Sequence, residues 1–156
     1  MNCLNCSSFG VLWNGEKTEA FSSSRGVRQG DPLSPYLFVL CMERLNQIIE
    51  DAISRGSWKP ATSSRGVPPL SRLFFTDDLL LFGEATVEQA RVIKQCLDMF
   101  CAASGEKVST HKSMVFFSKN TQASTAQGFS QELNMPITDD LGRYLGMPLI
   151  HGRVTK

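Results

Sequence analysis

Apolar positions along the chain change their period several times, and each change marks an element. The alternating runs 9–13 and 16–21 flank Asn14-Gly15, a pair that readily takes the positive backbone angles of a tight turn, so a hairpin is predicted there. Residues 22–30 form a loop rich in Ser, Gly and Arg. Asp31-Pro32 and Ser34-Pro35 then offer two cap-plus-proline starts for a helix that runs to about Arg55. Within it Leu33, Leu37, Leu40, Cys41, Leu45, Ile48, Ile49 and Ala52 recur at helical spacing, which predicts one buried face, and Gly56 provides the stop.

Residues 58–69 read as a connector, broken by Pro60, Gly66, Pro68 and Pro69. The segments 70–75 and 79–82 are apolar and strand-like around a Thr76-Asp77-Asp78 tip. A second helix starts at Thr86, three residues before Gln89 in a capping-box pattern. It carries Val87, Ala90, Ile93, Leu97, Phe100 and Cys101 on its buried stripe and ends at Gly105. A strand over 114–117, a weaker helix over 123–133 and a short strand or turn over 144–150 complete the order. The pattern predicts one α+β domain over 1–156, a layer of helices on a largely antiparallel sheet.

Composition supports a globular domain. Of 156 residues, 42% are apolar and 20% charged, enough to bury a core and too ordered in composition for a disordered chain. The strongest apolar run, 73–82, is interrupted by Asp77 and Asp78, so no membrane span is expected. Residues 1–13 lack the basic start and apolar centre of a secretion signal, which leads to an expected intracellular location, nucleus or cytoplasm undistinguished. Sixteen basic and fifteen acidic residues nearly cancel, so net charge does not announce a nucleic-acid partner, although the balance tilts basic after Ala102.

Five cysteines with no paired spacing disfavour a disulfide framework. Cys3 and Cys6 form a C-x-x-C that His111 and His151 could complete as a zinc site, but there is no second close ligand pair, and small buried thiols are the better reading.

Two stretches carry candidate chemistry. Asp77 and Asp78 lie between apolar strands, where buried carboxylates are penalised unless water, a cation or a metal compensates them. A hairpin tip would let both project into solvent and hold Mg²⁺, and two such ions about 3.5–4 Å apart can clamp the attacking and leaving oxygens of a phosphoryl transfer. A solvated turn is the plain alternative, because Asp is common in turns. The second stretch, Arg25-Gly26-Val27-Arg28-Gln29-Gly30-Asp31, combines glycines that allow close approach with arginines that fork onto phosphate. A flexible loop leading into the helix is its alternative.

Together these residues resemble a family. The run Arg28-Gln29-Gly30-Asp31-Pro32-Leu33-Ser34-Pro35-Tyr36-Leu37-Phe38 is similar to motif B of reverse transcriptases, and Phe75-Thr76-Asp77-Asp78 to the aromatic-x-Asp-Asp of motif C. Residues 104–113 resemble motif D and Tyr144-Leu145-Gly146 the motif that follows. The likeness is strongest to the LINE-type, non-LTR enzymes abundant in plant genomes. It implies a partial polymerase palm, an antiparallel sheet with an Asp-Asp hairpin packed on helices. It also implies RNA-directed DNA polymerisation with RNA template, DNA primer and dNTP as partners.

Carried over by position, Asp77 and Asp78 are metal ligands for Mg²⁺ or Mn²⁺. Gln29 and Gly30 line the template and nucleotide pocket, Arg28 is an auxiliary phosphate or template contact, and Lys112 sits where a motif D lysine approaches the triphosphate, an ordinary surface lysine being its alternative. Tyr144, Leu145 and Gly146 support the primer side. Thr76 replaces the usual alanine, a change a strand is expected to tolerate. The family's other aspartate, in motif A, has no counterpart here, since only Glu16 and Glu19 precede Arg25. The chain is therefore expected not to polymerise alone and to self-associate through an unpaired sheet edge. A non-catalytic nucleic-acid or protein-binding module is the competing reading.

Overall fold

The structure is a computed structural model that describes residues 8–22, 30–62 and 66–149. Three helices, α1 (Ser34–Ser54), α2 (Val87–Ser104) and α3 (Ala123–Leu133), enclose one apolar core. Leu45, Ile48, Ile49 and Ala52 of α1 meet Ala90, Ile93, Leu97 and Phe100 of α2, and Phe129 and Leu133 close the core from α3. Among the described residues, no helix is long and apolar enough to cross a membrane.

Helix ends follow local chemistry. Thr86 caps α2 by accepting the backbone N–H of Gln89, and Gly105 ends it at a left-handed φ of 79°. The reciprocal half of the capping box is absent, because the Gln89 side chain turns inward and accepts the Lys59 N–H at 2.8 Å instead. At α1 neither Asp31 nor Ser34 caps in the expected way. Asp31 accepts the Leu33 N–H on its side chain (2.8 Å) and the Ser34 N–H on its carbonyl (3.1 Å), and Ser34 is already the first helical residue.

The strands depart further from expectation. They form no common sheet but five separate two-stranded pairs among the described residues. The first hairpin pairs β1 (Ser8–Phe9) with β4 (Phe21–Ser22) and β2 (Leu12–Trp13) with β3 (Glu16–Lys17), turning at Asn14-Gly15 with φ of 50° and 84°, as the sequence predicts. Next come β5 (Arg72–Phe75) with β6 (Asp78–Leu81), then β9 (Arg143–Tyr144) with β10 (Met147–Pro148), both antiparallel. The remaining pair, β7 (Val115–Phe116) with β8 (Ile137–Thr138), is parallel, because α3 lies between them as a crossover that returns the chain in its original direction.

Two burial expectations fail. Of the stripe anticipated along α1, Leu33 and Leu40 are 51% and 67% exposed, and Leu37 and Cys41 are only half-buried. Helix α2 covers the C-terminal half of α1 alone, so periodicity identified the apolar face but not where its partner stops. Conversely Trp58, in the segment read as a connector, is 1% exposed and part of the core.

Candidate catalytic hairpin and its groove

The β5–β6 hairpin is held in register by Arg72↔Leu81, Leu73↔Leu80, Phe74↔Leu79 and Phe75↔Asp78. Its loop is therefore Thr76-Asp77 alone, one residue shorter than the tip anticipated from the sequence, and Asp78 belongs to the ladder. Side chains alternate across a strand, and directly paired residues share a face. Phe74, Leu79 and Leu81 pack on the core, whereas Leu73 and Phe75 lie on the opposite, exposed face, where their register also puts Leu80 and Asp78. Both carboxylates stay in water, one at the tip and one on the open face, so neither pays the desolvation cost that burial between apolar strands would impose.

The turn itself is strained. Thr76 has a φ of 46° while Asp77 has no positive φ, the arrangement of a tight hairpin turn whose first central residue is normally glycine. A β-branched residue there costs on the order of 1–3 kcal/mol. Thr76 is thus not the strand substitution that the sequence suggested, because pairing of Phe75 with Asp78 moves it out of the ladder. Its hydroxyl donates to Asp77 Oδ1 at 2.9 Å.

The base of the hairpin is fixed to α1 by Arg72. Its Nε donates to Asn46 Oδ1 (2.6 Å), its Nη1 to Ser71 Oγ (2.7 Å), and its Nη2 pairs with Glu50. Asn46 and Glu50 lie one helical turn apart, so a single planar guanidinium reads both. Sequence reasoning missed this residue. Its signal was a lone arginine inside an otherwise apolar strand, which needs partners wherever it faces inward.

Between the hairpin and the N-terminal half of α1 lies a groove of about 900 Å³, lined by Phe38, Met42 and Asn46 from α1, by Phe74 and Thr76 from the hairpin, and by Gly30. Gly30 has a φ of 83°, a backbone conformation that favours glycine, and nothing among the described residues lies within 4 Å of where a Cβ would stand. The groove brings Gly30 and the hairpin tip together across more than forty residues of sequence.

Lys112 and Tyr144 are not among the described residues that line this groove. Lys112 is exposed in a turn, its N–H donating to Ser109 O at 3.1 Å, and it forms no ion pair with Asp77 or Asp78 among the described residues. Tyr144 stands at the start of a tight turn whose Leu145 and Gly146 have φ of 55° and 78°. Arg25, Arg28 and Gln29 lie outside the described residues, as do Cys3, Cys6 and His151.

The donor set at the tip is chemically suited to Mg²⁺ or Mn²⁺, since hard cations take carboxylate oxygens and keep several waters, and the tip is open to water. It is an incomplete set. Among the described residues no three His, Cys, Asp or Glu side chains gather as a metal site, and the remaining segments contain no Asp or Glu.

With this geometry in view, the chain matches the family described as reverse transcriptase (RNA-dependent DNA polymerase) over residues 1–149. It is 43% identical over 65 residues to an uncharacterized mitochondrial protein of Arabidopsis thaliana, covering 42% of this chain and 53% of that one. The Pol polyprotein of the type-2 retrotransposable element R2DM of Drosophila melanogaster is 34% identical over 105 residues, 66% of this chain and 9% of the polyprotein. That of the type-1 element R2 of Popillia japonica is 32% identical over 78 residues, 50% and 12% respectively. The matched segments span about half of the first relative and about a tenth of the other two.

Proposed function

Because the chain belongs to the reverse transcriptase (RNA-dependent DNA polymerase) family, we propose that it is part of the palm of a non-LTR retrotransposon enzyme that copies RNA into DNA. The observation that carries this reading is the β5–β6 register, which leaves Asp77 at a two-residue tip and Asp78 beside it, both in water, while their neighbour Thr76 lines a groove that Gly30 also lines. In this reading Asp77 is the principal ligand of a catalytic Mg²⁺ or Mn²⁺ and Asp78 its carboxylate neighbour. The bound ion supplies Lewis-acid polarisation of the phosphoryl oxygens and a lowered pKa for the attacking hydroxyl. Gln29 and Gly30 line the pocket for template and incoming dNTP, Arg28 contacts phosphate, and Lys112 offsets charge on the pyrophosphate leaving group. The partners are an RNA template and a DNA primer, and the reaction takes place inside the cell.

Two carboxylates do not hold two ions in line. In-line transfer needs a further ligand shared between the metals, and no third acidic side chain joins Asp77 and Asp78. We therefore infer that these 156 residues alone do not extend a primer and that polypeptide beyond them completes the site. Primer extension on an RNA template is the test, run on the chain alone and on the chain joined to a reverse transcriptase segment bearing the motif A aspartate. Incorporation is expected only from the joined protein and is lost with Asp77→Asn. Incorporation that survives Asp77→Asn would refute the assignment.

A further inference from the structure

The tip of the hairpin holds a β-branched residue where the backbone favours glycine. Thr76 sits at φ 46°, and such strain persists only where the surroundings over-determine it, most often beside a functional group. No steric feature of the turn calls for threonine. It is exposed, and the strand pairing that sets the turn would be satisfied by a smaller side chain. What the residue does contribute is one polar contact, its Oγ1 donating to Asp77 Oδ1 at 2.9 Å.

On the reading of Asp77 and Asp78 as the metal-binding pair, the geometry points to Thr76 as the positioning residue of Asp77, its strained backbone aiming a hydroxyl that fixes the carboxylate before any ion arrives. The chemistry is consistent at each atom. A carboxylate has about four lone-pair positions, and a hydroxyl donor uses one of them, leaving Oδ2 and the second lone pair of Oδ1 for a cation. An exposed aspartate otherwise rotates freely about its side-chain torsions, and freezing it on metal binding costs affinity. Threonine is the suitable donor because its branched Cβ restricts χ1, so the hydroxyl is itself held in place. Alanine and glycine would each ease or accept the turn and lose the donor.

The experiment separates this inference from the metal reading. In the metal-free, isotopically labelled chain carrying Leu40→Glu, which charges the exposed face of α1 and limits self-association, three-bond couplings report the χ1 rotamers of Asp77, and Mn²⁺-induced broadening of the Asp77 and Asp78 signals reports binding. The wild type and Thr76→Ser, which keeps the hydroxyl, are expected to show one dominant Asp77 rotamer. Thr76→Val keeps the branch and the strain but removes the donor, so it is expected to show averaged couplings and about fivefold weaker Mn²⁺ binding, the usual worth of one such hydrogen bond. Unchanged hairpin amide shifts in Thr76→Val exclude an effect through folding. An Asp77 rotamer in Thr76→Val as ordered as in the wild type would overturn the positioning role while leaving the metal reading intact. A wild-type chain with ordered Asp77 but no broadening by Mn²⁺ would overturn the metal reading and, with it, the role assigned to Thr76.

Discussion

The indole nitrogen of Trp58 donates to the carbonyl oxygen of Phe82 at 3.0 Å, joining the chain just after α1 to the chain just after β6. The contact lies within a short ladder: Phe82 N–H donates to Ser71 O, Glu84 N–H to Lys59 O, and Lys59 N–H to Gln89 Oε1. The two ends of the Asp-bearing hairpin are thereby tied to the first turn of α2 as well as to α1.

Truncation of Trp58 tests this arrangement. The ring is 1% exposed, so Trp58→Ala removes a large apolar volume and leaves a cavity, with an expected loss of about 3–5 kcal/mol in unfolding free energy. Trp58→Phe keeps most of the packing but not the donor, and is expected to cost about 1–2 kcal/mol. Denaturant midpoints at constant m-value measure both. Equal, small losses would mean that the ring only covers the surface.

Arg72 carries the second prediction. Its side chain is 15% exposed, whereas Glu50 is 55% exposed, so the ion pair itself is well screened and the hydrogen bond to Asn46 matters more. Glu50→Gln is expected to change stability by less than about 0.5 kcal/mol. Arg72→Lys, which cannot reach Asn46, Ser71 and Glu50 from one planar group, is expected to cost about 1–2 kcal/mol and to speed hydrogen exchange at Leu73 and Leu80, a hydrogen-bonded pair of the ladder. A larger effect from Glu50→Gln than from Arg72→Lys would reverse this ordering.

A third prediction concerns pH. Burial pushes the Cys96 thiol above its ordinary value of 9.0, with partial opposition from the Arg55 charge. The protonated thiol is therefore the form that folding favours. Its contribution is fully present below the unfolded pKa and is lost as pH rises toward the folded one, so the chain should lose stability above about pH 9. Cys96→Ala should flatten that decline while lowering stability at neutral pH through the lost packing. Urea titrations between pH 7 and 10.5 give both slopes, and parallel declines would assign the loss to other groups.

Local chemistry made much of the fold legible. Asn14-Gly15, the Thr86 cap, Gly105 and the helix over 123–133 were all readable because each depends on neighbours within one turn. What was not readable depends on distant partners. No periodicity tells that α2 stops covering α1 before Leu40, that Trp58 turns back onto the core from a proline-rich segment, or that 115–116 pairs with 137–138 in parallel. The same holds at the site. Asp77, Asp78 and Gly30 stood out by pattern, but the φ of Thr76 follows from a register of one residue between two strands, and the anchoring by Arg72 follows from the approach of α1.

The last prediction follows from the uncovered half of α1. Leu33, Tyr36, Val39 and Leu40 are each more than half exposed, and Leu73 and Phe75 add to the apolar surface on the outer face of the hairpin. Beside them β5 and β6 pair only with each other among the described strands, leaving backbone donors and acceptors along the outer edges. Apolar patches above a few hundred Å² and open strand edges both promote association, and Asp77 and Asp78 are the only charges on this hairpin besides the inward Arg72. The isolated chain is therefore expected to self-associate at micromolar concentration. Size exclusion with light scattering should show oligomers whose fraction falls in Leu40→Glu and falls further when Leu73→Lys is added, because one change charges the helix face and the other the hairpin face. Neither substitution removes a core side chain, so thermal unfolding should remain cooperative in both. If the wild-type chain runs as a monomer across that range, the exposed face of α1 is simply solvated, and the edges of the hairpin are protected by its short length.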